Sequence, residues 1–197
     1  MLRIGFDLDN TLVNYSLAVN QYCKANSLPV KNSIVELRNF LNPLDDKQSD
    51  WVKAQSWIYS DGLEFAEVEN SAVSFIEKMV DENYEICILS HKSTLGPPQF
   101  GGKPFREKAT SWLAKSKIGL YFTPGVNLFF YESLDEKVSG IKTQKLDLYV
   151  DDLLKVFRHP SYPNKVKSFI FRSGRDTLDW LHEIHDFKEL EKFCREN

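Results

Sequence analysis

Leu2-Arg3-Ile4-Gly5-Phe6-Asp7-Leu8-Asp9-Asn10-Thr11-Leu12 is a short apolar run that ends on two acids separated by one residue. An apolar run bounded by polar residues reads as a buried strand, so residues 2–6 are expected to form one and Asp7 and Asp9 to lie in the loop that leaves it. The pattern recurs downstream: Glu85 to Leu89 runs into Ser90, and Leu146 to Val150 runs into Asp151-Asp152. Leu128 to Tyr131 and Val166 to Phe171 read as further strands. Helical periodicity lies between and beyond them, in Val68, Ala72, Phe75, Ile76 and Met79, in the Phe105, Ala109, Trp112 and Leu113 stripe after Pro104, and in Phe187, Leu190 and Phe193 or Cys194. Strands alternating with helices predict an α/β fold with a doubly wound, mostly parallel sheet. Such sheets bind ligands at the carboxyl ends of their strands, and three strand ends here carry polar residues.

From Tyr15 to about Tyr59 the pattern is helical throughout. Tyr15, Ala18, Val19 and Tyr22 form one stripe, Ile34, Leu37 and Leu41 a second, and Trp51, Ala54 and Ile58 a third, with breakers at Pro29 and Pro43. Asp45-Asp46, followed by Lys47, reads as a helix start or a solvated turn, and Asp61-Gly62 punctuates the end of the block. The expected organisation is an α/β core of residues 1–14 and 62–197 with a small helical subdomain, residues 15–61, inserted after the first strand. Ser90 to Lys103 is rich in Gly and Pro and has no periodicity, so it is expected to be a long loop, which is uncommon without a function.

The chain has 197 residues, the length of one domain with a small insert. Its net charge is −3, so it lacks the basic footprint that a nucleic-acid polymer requires, whereas a small phosphorylated ligand needs only a local positive site. The cysteines Cys23, Cys87 and Cys194 are scattered and odd in number, which speaks against a disulfide framework and for a reducing, cytoplasmic setting. No secretory leader and no membrane-length apolar run is read, so no membrane partner is expected.

Four acids brought to one sheet edge would repel each other unless a cation lay among them. An oxygen-only ligand set suits a hard divalent ion, and magnesium fits best. Such an ion can neutralise a substrate phosphate while a carboxylate attacks phosphorus. The Asp-x-Asp spacing lets one acid serve as nucleophile and the other as general acid. Taken singly, the same residues have plainer readings: Asp7 and Asp9 as turn residues, Ser90 as a loop hydroxyl, and His91 and Lys92 as a solvated loop.

Asp7-Leu8-Asp9-Asn10-Thr11 resembles the first signature of the haloacid dehalogenase superfamily, Asp-x-Asp-x-Thr after an apolar strand. Ile86 to Ser90 matches the second signature, and Leu148-Tyr149-Val150-Asp151-Asp152 the acidic pair of the fourth. The resemblance covers about residues 2–171 and implies a Rossmann-like core with a type 1 cap at residues 15–61. It implies that Asp7 is the nucleophile and Asp9 the general acid/base. Magnesium would be held by Asp7, Asp9 through its carbonyl, Asp151 and Asp152. Thr11, Ser90, His91 and Lys92 are the candidate substrate contacts. An acid at position 9 favours phosphate-ester cleavage, because members lacking it tend to be dehalogenases or phosphonate hydrolases.

The charge-balancing lysine of the third signature is the weakest match. Lys142, nine positions before Asp151, is the first candidate, with Lys137, Lys145 and Lys108 as competitors. Ser90-His91-Lys92 and Phe105-Arg106-Glu107-Lys108 leading to Trp112-Leu113 are similar to the 5′(3′)-deoxyribonucleotidases, which makes a nucleoside monophosphate one candidate substrate. The chain is thus expected to be a magnesium-dependent phosphatase acting through an aspartyl-phosphate. The alternative is a catalytically degenerate relative that binds a phosphorylated ligand or a protein partner.

Overall fold

The computed structural model describes residues 2–42, 49–172 and 178–196. Pro43 and Asp45-Asp46-Lys47 lie outside the described residues. In chain order the elements are β1 (Arg3–Phe6), β2 (Val13–Asn14), α1 (Ser16–Ala25), α2 (Ile34–Leu41), α3 (Ser49–Ile58), β3 (Glu67–Val68), α4 (Asn70–Asp81), β4 (Glu85–His91), α5 (Phe105–Lys115), β5 (Leu128–Tyr131), α6 (Leu134–Thr143), β6 (Leu148–Asp151), α7 (Leu154–Phe157), β7 (Lys167–Phe171), β8 (His182–Ile184) and α8 (Phe187–Glu196). Six strands form one sheet in the order β5-β4-β1-β6-β7-β8, every neighbour parallel, and β2 pairs with β3 separately.

The strand order locates the chemistry. The chain steps outward from β1 to β4 to β5, then crosses to the other side of β1 for β6, β7 and β8, so the order reverses between β1 and β6. A crevice at the carboxyl ends is expected at that reversal. Phe6 is paired with Val150, and the Asp7 N–H donates to the Val150 carbonyl at 2.8 Å, so the first acid after β1 is pinned beside the end of β6.

Two glycines permit close approaches on which this arrangement depends. Gly5 is opposite Tyr149 in the register, and a Cβ there would lie 2.9 Å from the Tyr149 ring. Gly140 on α6 faces Tyr131 at the end of β5, and a Cβ there would collide with the tyrosine hydroxyl.

Buried aliphatic and aromatic residues from both faces of the sheet form the core, with Phe6, Phe75 and Phe187 clustered on one side and Leu89, Val138, Ile141 and Tyr149 on the other. The strand β8 was not foreseen, and only Ile184 of its three residues is buried, so it carries no periodic signal. Cys23, Cys87 and Cys194 are buried free thiols. Among the described residues no helix is long and apolar enough to cross a membrane.

The chain divides into two compact units. One, comprising Met1–Leu12, Val68–Lys92 and Lys117–Asn197, holds the six-stranded sheet. The other comprises Val13–Glu67 and Ser93–Ser116, and so contains more than the helical block of residues 15–61 read from the pattern. The added segment is tied to the helices from within. The Trp112 indole N–H donates to the Ala66 carbonyl at 3.2 Å, Lys103 and Lys108 reach Asp61 at 3.0 and 3.2 Å, and the Phe105 ring lies 6.4 Å from that of Tyr59. Periodicity cannot show such ties, because by residue number they join positions 42 to 47 apart.

Candidate active site

The loop after β1 is a tight turn in which the Leu12 N–H donates to the Leu8 carbonyl at 3.0 Å and Asn10 takes a positive φ of 61°. Leu8 and Leu12 anchor the turn in the core. The acids alternate with these anchors and meet two buried lysines. The Lys137 ammonium lies 2.5 Å from Asp7 Oδ1 and 2.7 Å from Asp151 Oδ2, and its side chain is 1% exposed. The Lys92 ammonium lies 2.7 Å from Asp9 Oδ2, again with the lysine side chain 1% exposed.

Lys137 therefore occupies the place expected of Lys142. Lys142 is exposed in the last turn of α6, Lys145 is exposed beyond it, and Lys108 pairs with Asp61 in the helical unit. The helix explains the difference. Leu134, Lys137, Val138 and Ile141 follow i, i+3, i+4, i+7 spacing, so Lys137 lies on the stripe that faces the core while Lys142 is turned away. A lysine within an apolar helical stripe was the available signal, and distance along the chain from Asp151 was a misleading one.

Asp7, Asp151 and Asp152 bring carboxylate oxygens within 4.8 Å of one another. Asp151 is fully buried, with Oδ1 accepting from the Leu153 N–H at 2.9 Å and Oδ2 lying 2.9 Å from the Tyr149 hydroxyl. Burial pushes the Asp7 carboxyl up to about 7, with Lys137 opposing and Asp151 and Asp9 adding to the rise. Burial, and then Asp151 and Asp7, hold the Asp152 carboxyl well above the usual range. Burial alone would lower the Lys137 ammonium, yet Asp151 and Asp7 outweigh it and raise it.

With all four carboxyls ionised, two ammonium groups would leave two negative charges over, and the raised Asp7 and Asp152 carboxyls show how unfavourable that excess is without a further cation. An oxygen-only set with that excess suits a divalent cation, and Asp7, Asp151 and Asp152 are the side chains that would hold it.

Two further expected residues are buried with unmet polar groups. The hydroxyls of Thr11 and Ser90 are buried and have no hydrogen-bond partner among the described residues. Buried polar groups are nearly always satisfied, so such orphans mark where a ligand atom is wanted. His91 differs: it is exposed, and its Nε2 lies 3.1 Å from the Glu132 carbonyl oxygen. Lys92 is engaged with Asp9 instead of standing open to a ligand.

No family model and no curated protein matches the chain. Solved structures do. A predicted phosphatase from Clostridium acetobutylicum is 15% identical with a TM-score of 0.60, covering 100% of this chain and 99% of its own. A HAD-superfamily hydrolase from Ehrlichia chaffeensis is 12% identical with a TM-score of 0.59, covering 98% and 96%. The fold is the haloacid dehalogenase fold. Protein Tyrosine Kinase A from Mycobacterium tuberculosis has it too, at 11% identity and a TM-score of 0.63 over 97% of this chain and 96% of that one. The fold therefore leaves the reaction to be argued from the site.

The carboxyl pKa shifts give a test of the cation site. A carboxyl raised in the folded state stabilises the fold below its unfolded value of 3.8 and loses that contribution as pH rises towards about 7. In chelator, the melting temperature is therefore expected to fall between pH 5 and pH 8. Magnesium should raise it by several degrees at pH 8 and by much less at pH 5, where protonated carboxyls hold the ion poorly. Equal shifts at both pH values would count against a cation among these acids.

Proposed function

We propose that this chain hydrolyses a small phosphomonoester in a magnesium-dependent reaction that passes through an aspartyl-phosphate on Asp7. The observation that carries the reading is the separation of the two acids onto two lysines: Asp7 shares Lys137 with Asp151, while Asp9 has Lys92. One carboxylate can then act on phosphorus while the other handles protons.

In the first step an Asp7 oxygen forms a bond to phosphorus, the bond to the ester oxygen breaks, and Asp9 gives that oxygen its proton. In the second, Asp9 takes a proton from water as the water oxygen attacks phosphorus, and the bond to Asp7 breaks to release phosphate. Lys137 offsets negative charge on Asp7, and the Thr11 and Ser90 hydroxyls are free to donate to phosphoryl oxygens. Magnesium, bound by Asp7, Asp151, Asp152 and the Asp9 carbonyl, would supply neutralising charge for the phosphoryl group. The helical unit is the candidate cap, and a nucleoside monophosphate is one candidate substrate, from the resemblance to the deoxyribonucleotidases.

The test is phosphate release from nucleoside monophosphates, sugar phosphates and an aryl phosphate, with magnesium and with excess chelator. Magnesium-dependent release is expected. Release only when a hydroxyl acceptor is added would point to phosphoryl transfer, and no release despite confirmed magnesium binding would favour a ligand-binding protein.

A further inference from the structure

Tyr149 and Asp151 lie two apart on β6 and so share a face of the sheet, which lets one side chain reach the other. Tyr149 is fully buried, and its ring has room because Gly5 opposite carries no Cβ. Its hydroxyl lies 2.9 Å from Asp151 Oδ2 and 3.1 Å from the Leu89 carbonyl oxygen on β4. A phenol has a single proton to give, and an ionised carboxylate is the stronger acceptor of the two. Asp151 Oδ2 therefore takes the tyrosine proton beside the Lys137 ammonium, 2.7 Å away, while Oδ1 accepts from the Leu153 N–H at 2.9 Å.

A carboxylate has about four lone-pair positions, shared equally by its oxygens. Lys137 and Tyr149 fill those on Oδ2 and Leu153 fills one on Oδ1, so Oδ1 alone keeps a position open. Without the hydroxyl each oxygen would keep one, and the carboxylate would be able to grip an ion with both. The difference bears on metal choice. Calcium is large, takes about 6–8 oxygens and accepts a carboxylate through both of its own, whereas magnesium demands a small, regular octahedron that a two-oxygen grip distorts.

We propose that Tyr149 is the positioning residue that sets the metal preference of this site: with Lys137 it closes Asp151 Oδ2, so that Asp151 meets a cation through Oδ1 alone and the site favours magnesium over calcium. The inference rests on the magnesium of the proposed function and goes beyond it by naming a residue outside the ligand set that decides which ion is held.

The test is calorimetric titration of the full chain, stripped of metal by chelator, with magnesium chloride and with calcium chloride at pH 8. Wild type, Tyr149→Phe and Phe157→Leu are compared. Wild type is expected to bind magnesium the more tightly. Tyr149→Phe keeps the ring and should weaken magnesium by about 10-fold while calcium changes by less than about 2-fold or tightens, so the preference moves toward calcium. Phe157, whose ring lies 6.3 Å from that of Tyr149, tests packing alone. Its truncation should lower the melting temperature in chelator and leave the ratio of the two constants unchanged.

An unchanged magnesium constant in Tyr149→Phe, equal weakening of both ions, or the same change of ratio in Phe157→Leu would overturn the positioning role. So would a wild type that binds calcium the more tightly, a result that stands even where a variant does not fold. Failure of wild type to bind either ion would overturn the cation site and this inference with it. The expected ratios without any phosphate release would support the inference and count against hydrolysis only.

Discussion

Asp7→Asn is expected to abolish phosphomonoester turnover, by about 10⁴-fold or more, while leaving the fold intact. The amide is close to the carboxylate in size and cannot form the aspartyl-phosphate. The variant should also melt no lower than wild type in chelator at pH 8, because it removes a buried charge whose carboxyl burial pushes up to about 7. Lys137 keeps a partner in the variant, since Asp151 Oδ2 lies 2.7 Å away. Magnesium should stabilise the variant less than wild type, one of the three clustered carboxylates having become neutral. Phosphate release measured beside circular dichroism and thermal melting makes the comparison, and an active Asp7→Asn protein would show that the nucleophile lies elsewhere.

Lys137→Met carries the second large effect, this time on stability as well as activity. Removing one partner of a buried ion pair leaves the other uncompensated, at a cost of about 3–5 kcal/mol. Here two acids are left facing each other, because Lys137 contacts both Asp7 and Asp151. In chelator at pH 8 the melting temperature should fall by roughly 10 °C for a chain of this size. Lys142→Met, at an exposed position on the same helix, should change neither melting nor turnover measurably. Adding Asp7→Asn to Lys137→Met should recover part of the stability and none of the activity. A Lys137→Met protein as active as wild type would remove this lysine from the site.

The main features of the fold are legible in the chain because each central strand changes polarity at its end or within its last two residues. Phe6 to Asp7 bounds β1, whereas β4 runs past the Leu89 to Ser90 change to His91 and β6 past Val150 to Asp151, and the parallel sheet places the three changes at one edge. What stayed hidden was the orientation of long side chains. Lys137 is one of four candidate charge-balancing lysines in the sequence and Lys92 a candidate substrate contact, yet nothing there names the acid to which each folds inward, 130 and 83 positions away respectively, by the residue numbers of the pairs. The apolar stripe of α6 turns Lys137 toward the core, but which acid each lysine meets is set by tertiary packing, on which periodicity is silent. The same holds for the tie between residues 93–116 and the helices, which depends on Trp112, Lys103 and Lys108 finding Ala66 and Asp61.

Gly140 has no charge, yet it lies one helical turn beyond Lys137 on α6, where a Cβ would collide with Tyr131. Any side chain there would lift the helix or displace the ring, and Lys137 would move with it. A mutational scan should therefore show this buried glycine to be as intolerant as the acids, although it carries no side chain of its own. Among distant relatives, those in which this position has gained a side chain are the ones to suspect of having lost the reaction while keeping every aspartate.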